Sequence, residues 1–185
     1  MKMISTIVAM GLFFPLSVFA ASVPCQSLDS VKNTQTPVEL TQAMVSCVRA
    51  NRYQEAVELF YLINVLGKFD KLRVADQTAH QALHIIQQRA TEQFSEEQLG
   101  LFNRKWMETL GQDDLQPRLC AATQKMGIPV YKPTYMTNHG MAAFMERSER
   151  SVDPTEGGGP PLGGEMGFDE QHAWEHVRTQ FLKCP

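Results

Sequence analysis

An apolar run at the start of the chain constrains how every later residue can be read. Lys2 gives a short positive beginning, Ile4 to Phe19 is almost wholly apolar, and Val18-Phe19-Ala20 offers small side chains at the positions a signal peptidase reads. Gly11 and Pro15 interrupt the run, which leaves it short and broken for a bilayer span. The pattern is that of a secretory leader over 1–20, cleaved after Ala20. Pro24 stands before Cys25, where lipidation would want a small residue such as Ala or Gly. The expected destination is therefore periplasmic or secreted. No later apolar stretch is long enough to cross a bilayer, so no membrane association is expected once the leader is gone.

Export gives the four cysteines a meaning. Cys25, Cys47, Cys120 and Cys184 all lie beyond the leader, and an even number in an oxidising compartment points to two disulfides. Three pairings are open. The favoured one joins Cys25 to Cys47 and Cys120 to Cys184. The first bridge would pin the lead-in to the first helix, and the second would pin the last helix to the body. Each would contribute about 2–4 kcal/mol by restricting the unfolded chain.

Helical periodicity fills the region 21–150, which reads as one helical domain. Thr36-Pro37-Val38-Glu39 is a helix start with a capping box and a proline at the first turn, and Leu40, Met44, Cys47 and Val48 then share a face. A second helix, 51–67, carries a broad apolar stripe from Tyr53 to Leu66 and stops at Gly67. A third starts with Asp70 as cap and runs to about Arg89, with Leu72, Ala75, Ala79, Ala82, Leu83 and Ile86 as its core face. Ser95 to Gln98 is another capping box, opening a fourth helix that Gly111 closes. A fifth runs from about Pro117 to Met126. Pro129 to Tyr135 reads as extended chain or a short edge strand, and a sixth helix spans Asn138 to Arg147.

The next stretch, 151–168, holds six of the twelve glycines and three of the ten prolines, a composition that reads as a loop. After it, Asp169 caps a last helix, 169–185, whose apolar face is Trp174, Val177, Phe181 and Leu182. The fold class is thus all-α: an antiparallel bundle of five to six helices, a long Gly/Pro-rich loop, a docked C-terminal helix and two disulfides. Asn51-Arg52-Tyr53-Gln54-Glu55-Ala56, with Phe60 beyond it, resembles the second helix of a tetratricopeptide or Sel1-type unit. At the repeat distance of about 34 residues Gln87 stands where Tyr53 would recur, so the resemblance implies an antiparallel hairpin and no array.

Candidate chemistry is sparse. His172-Ala173-Trp174-Glu175-His176 resembles the inverted zinc-peptidase motif, yet none of the nine residues after His176 is a carboxylate or histidine that could serve as the third ligand. His80 and His84 repeat the i, i+4 spacing, so His80, His84, His172 and His176 together form a candidate tetrahedral Zn site if their helices meet. Met136, His139, Met141 and Met145 form a softer set that suits Cu(I). Asp70, Arg73, Gln77, His80 and Gln81, continued by His84, form a polar row on the third helix that reads as a binding face. No Gly-x-Ser-x-Gly element and no phosphate-binding glycine loop is present. A formal charge of −3 gives no general attraction for nucleic acid. The expected function is an exported, non-enzymatic binding protein with a protein partner and no cofactor, of inhibitor or immunity type. The alternative is a periplasmic Zn or Cu handler.

Overall fold

The computed structural model of the protein describes residues 23–150 and 168–185, without the side chains of 149 and 150. The expected leader, 1–20, and the Gly/Pro-rich stretch up to Gly167 lie outside the described residues. Every regular element among the described residues is helical. There are eight α-helices among them, more than the sequence predicts, because the expected sixth helix is divided in two.

Helix α1 (Pro37–Arg49) begins at the expected capping box. The Thr36 hydroxyl accepts from the Glu39 N–H at 3.2 Å, and the Glu39 carboxylate accepts from the Thr36 N–H at 2.7 Å. Asn51 takes a left-handed φ of 59°. This tight turn folds α2 (Tyr53–Arg73) back onto α1. Ala56, Val57, Leu59, Ile63, Leu66 and Phe69 of α2 are wholly shielded from water. Helix α2 is the centre of the molecule and also touches α4, α5 and α8.

Two sequence expectations fail along α2, each for a physical reason. Gly67 does not stop the helix; it sits within it. A Cβ there would stand 2.1 Å from Leu83 Cδ2, so the glycine is a notch that admits the Leu83 side chain. Asp70 does not cap a later helix either. Its carboxylate is fully buried in the last turn of α2 and already holds other donors. The cap is Asp76, which accepts from the Thr78 N–H at 2.9 Å and opens a 3-10 turn, Gln77–Gln81, that runs into α3 (Ala82–Thr91).

Helix α4 (Glu96–Leu110) starts at the second capping box and ends at Gly111 as expected. It lays Phe102 and Trp106 against Phe60, with ring centroids 6.0 and 5.7 Å away. Helix α5 (Leu115–Met126) ends at Gly127, whose φ of 76° suits glycine. The proline-rich segment after it forms no strand. The Asn33 side-chain amide donates to the Ile128 carbonyl and the Val130 N–H donates to the Asn33 carbonyl, which ties the segment to the lead-in.

The expected sixth helix is divided into α6 (Thr134–Thr137) and α7 (Met141–Arg150). Asp76 sits at the break. Its second carboxylate oxygen accepts from the Ala142 N–H at 3.0 Å and so caps α7 as well. The approach is close enough that a Cβ on Gly140 would lie 1.9 Å from that oxygen. Helix α8 (Glu170–His176) is capped by Asp169, which accepts from the His172 N–H. The disulfides are Cys25–Cys47 and Cys120–Cys184, with Cα separations of 4.5 and 5.6 Å. Among the described residues, no helix is long and apolar enough to cross a membrane.

Candidate functional site

The C-terminal segment sets a large aromatic side chain between two clefts. Helix α8 drives Trp174 into the core, where its ring meets Phe69 edge-on at 5.4 Å. After His176 the helix widens into a π-helical turn, Val177–Phe181, and the Leu182 N–H donates to the Val177 carbonyl five residues back. In a regular α-helix Phe181 would join Trp174 and Val177 on the inner face. The wider turn uses one more residue, so Leu182 takes the buried place and Phe181 is left 45% exposed. This corrects the expectation that Phe181 belongs to the docking face.

The segment is held from both sides. Lys183 adopts a left-handed φ of 59°, which turns the chain back so that Cys184 reaches Cys120 on α5. The Gln116 side-chain amide, also on α5, donates to the carbonyls of Leu182 and Lys183 at 2.9 and 2.8 Å. Those carbonyls close a helix and have no intrahelical donor.

Phe181 then divides two open clefts. One, of about 260 Å³, lies between α2 and α5 and is lined by Tyr61, Asn64, Val65, Leu115, Leu119 and Leu182, among others. The second, of about 250 Å³, lies on the other side and is lined by Lys68, Leu72, His176, Val177 and Gln180. Leu72 is 46% exposed there, and the Lys68 ammonium sits 5.2 Å from the centre of the Phe181 ring.

The last turn of α2 carries a buried polar centre that the sequence did not reveal. The Arg73 guanidinium donates twice to one oxygen of Asp70, at 2.7 and 2.9 Å. The Tyr135 hydroxyl donates to the other oxygen at 2.7 Å, and the Tyr131 hydroxyl reaches the carboxylate at 3.0 Å. The guanidinium lies over the rings of Phe69 and Tyr131, 4.8 and 4.7 Å from their centres. Burial raises the Asp70 carboxyl above its ordinary range, against the opposing pull of Arg73 and the two phenols. The same burial, reinforced by the adjacent carboxylate, holds both phenols protonated well above the ordinary tyrosine range. Removing one partner of such a pair leaves a lone buried charge, at a cost of about 3–5 kcal/mol. Asp70 and Arg73 therefore tie the end of α2 to the 131–135 segment. They do not belong to an exposed binding row, whose remaining members, Gln77, His80 and Gln81, lie on the 3-10 turn.

The histidine pairs are placed separately. His80 sits on the 3-10 turn with its Nε2 2.8 Å from the Val74 carbonyl, while His84 is exposed on α3. His172 and His176 are exposed on α8. Among the described residues no three His, Cys, Asp or Glu side chains gather so as to hold a metal ion. In the methionine-rich set, Met136 is fully buried, whereas Met141 and Met145 face solvent beside Phe144 on α7. Compared with protein-family models, curated proteins and solved structures, the chain finds no match in any of the three.

Proposed function

We propose that this chain is an exported, non-enzymatic binding protein, working in the periplasm or outside the cell, that occupies another protein in the manner of an inhibitor or immunity protein. Two disulfides suit an oxidising compartment. The observation that carries the reading is Phe181. A half-exposed aromatic ring, flanked by two apolar clefts, sits on a segment clamped by a disulfide and by Gln116. An aromatic anchor held rigidly loses little freedom when a partner covers it, and such anchors dominate binding energy at interfaces.

The test is site-specific photo-crosslinking in the producing cell. A benzophenone side chain placed at position 181 is expected to trap one discrete protein that the same group at Glu97, on exposed α4 surface, does not trap. The trapped protein, once purified, is expected to lose its own activity when the mature chain is added. A smear, or the same adducts from both positions, would sink the proposal.

A further inference from the structure

We infer that the partner surface carries two large apolar side chains, one for each cleft beside Phe181, together with a carboxylate that meets Lys68. This rests on the reading of the Phe181 ridge as a contact surface and adds the chemistry of what sits on it. Three observations select that chemistry. The clefts are of nearly equal size, about 260 and 250 Å³, and share Phe181 as their common wall. Both are open rather than enclosed, so they suit side chains presented by a folded surface better than a long acyl chain, which needs a tunnel. Their charge is one-sided: among the described residues, Lys68 and His176 line the second cleft and no carboxylate lines either.

Lys68 is available to such a group. It is exposed and makes no ion pair among the described residues. Its contact is with the face of the Phe181 ring. An incoming carboxylate beside that ring would pair with the ammonium without taking it off the aromatic face. A partner with a cation at that place would meet like charge and lose affinity.

The probe is indole-3-acetate, an aromatic ring with a carboxylate, compared with tryptamine, the same ring with an ammonium. Both are titrated into the full-length mature chain labelled with ¹⁵N and monitored by amide shifts. Indole-3-acetate is expected to move signals at Asn64 and Leu115 on one side and at Leu72 and Gln180 on the other. It is expected to bind about fivefold more tightly than tryptamine, the scale of one exposed ion pair. Lys68→Glu should invert that preference, and Phe181→Ala should merge the two sets of shifts into one. The amide spectrum also shows whether each variant is folded. Shifts scattered over the surface, shifts confined to other elements, or equal binding of the two probes would overturn the inference. Failure of the crosslinking with success of the fragments would remove the protein partner and leave the cleft chemistry. The reverse result would remove only the cleft chemistry.

Discussion

Replacing Gly67 with alanine separates two accounts of that residue. In an open helix interior, Gly→Ala stabilises by about 1 kcal/mol. In α2 the added Cβ would stand 2.1 Å from Leu83 Cδ2 and 3.4 Å from Leu83 Cγ. Ordinary carbon contacts are about 3.5–4.0 Å, so about 1.5 Å has to be absorbed by α3 or by a poor Leu83 rotamer. Overpacking of this kind costs about 1–3 kcal/mol. The expected net result is destabilisation by about 1 kcal/mol, despite the better propensity. A double-mutant cycle sharpens the test. Leu83→Ala alone should cost about 2–3 kcal/mol, since Leu83 is nearly buried. In the Gly67→Ala background it should cost about 2 kcal/mol less, because the clash disappears with the side chain. Urea unfolding monitored by far-ultraviolet circular dichroism, with both disulfides intact, measures all four corners. If Gly67→Ala stabilises the protein by the full helix propensity and shows no coupling to Leu83, the close approach is wrong.

The same geometry sets three further outcomes. Cys184→Ser opens a bridge spanning 64 residues, which by loop entropy should cost about 4 kcal/mol, and limited proteolysis should then cut the C-terminal segment first. Gly140→Ala should push the Asp76 carboxylate off Ala142 and Thr78, losing two caps worth about 1 kcal/mol each; combined with Asp76→Ala, its cost should not add, and additive losses in the melts would refute the shared cause. Tyr131 and Tyr135 have folded-state pKa values raised above 10, so their stabilising protonated forms are fully present below pH 10 and that contribution is lost as pH rises beyond it. Ultraviolet titration should therefore show these two phenols ionising only together with alkaline unfolding, and early, reversible ionisation would contradict their burial.

Much of the fold was legible because helix starts are local. Thr36 with Glu39, Ser95 with Gln98, and Asp169 each cap the helix the sequence predicts, since the donors they satisfy lie within three residues. The errors came where distant contacts override local habit. Gly67 looks like a stop until Leu83, from another helix, needs its space. Asp70 looks like a cap until two tyrosines more than sixty residues away claim its oxygens. The paired tyrosines of the Pro129–Tyr135 stretch were the available signal, four residues apart in a segment too proline-rich to be helical. The candidate site was less legible still. The apolar spacing of α8 points Phe181 inward, and only the extra residue of the π-helical turn sends it out.

The Asp70 carboxylate has a consequence for how the molecule comes apart. One charged group joins the end of the central helix to a loop far along the chain, and the neighbouring Phe69 ring seats Trp174 of the tail. Phe69 touches both the Arg73 guanidinium and Trp174, so loosening the tail uncovers the ring on which the ion pair packs. The centre of this protein should therefore melt as one cooperative unit, with backbone amides in α2, α6 and α8 exchanging their hydrogens at a common, slow rate.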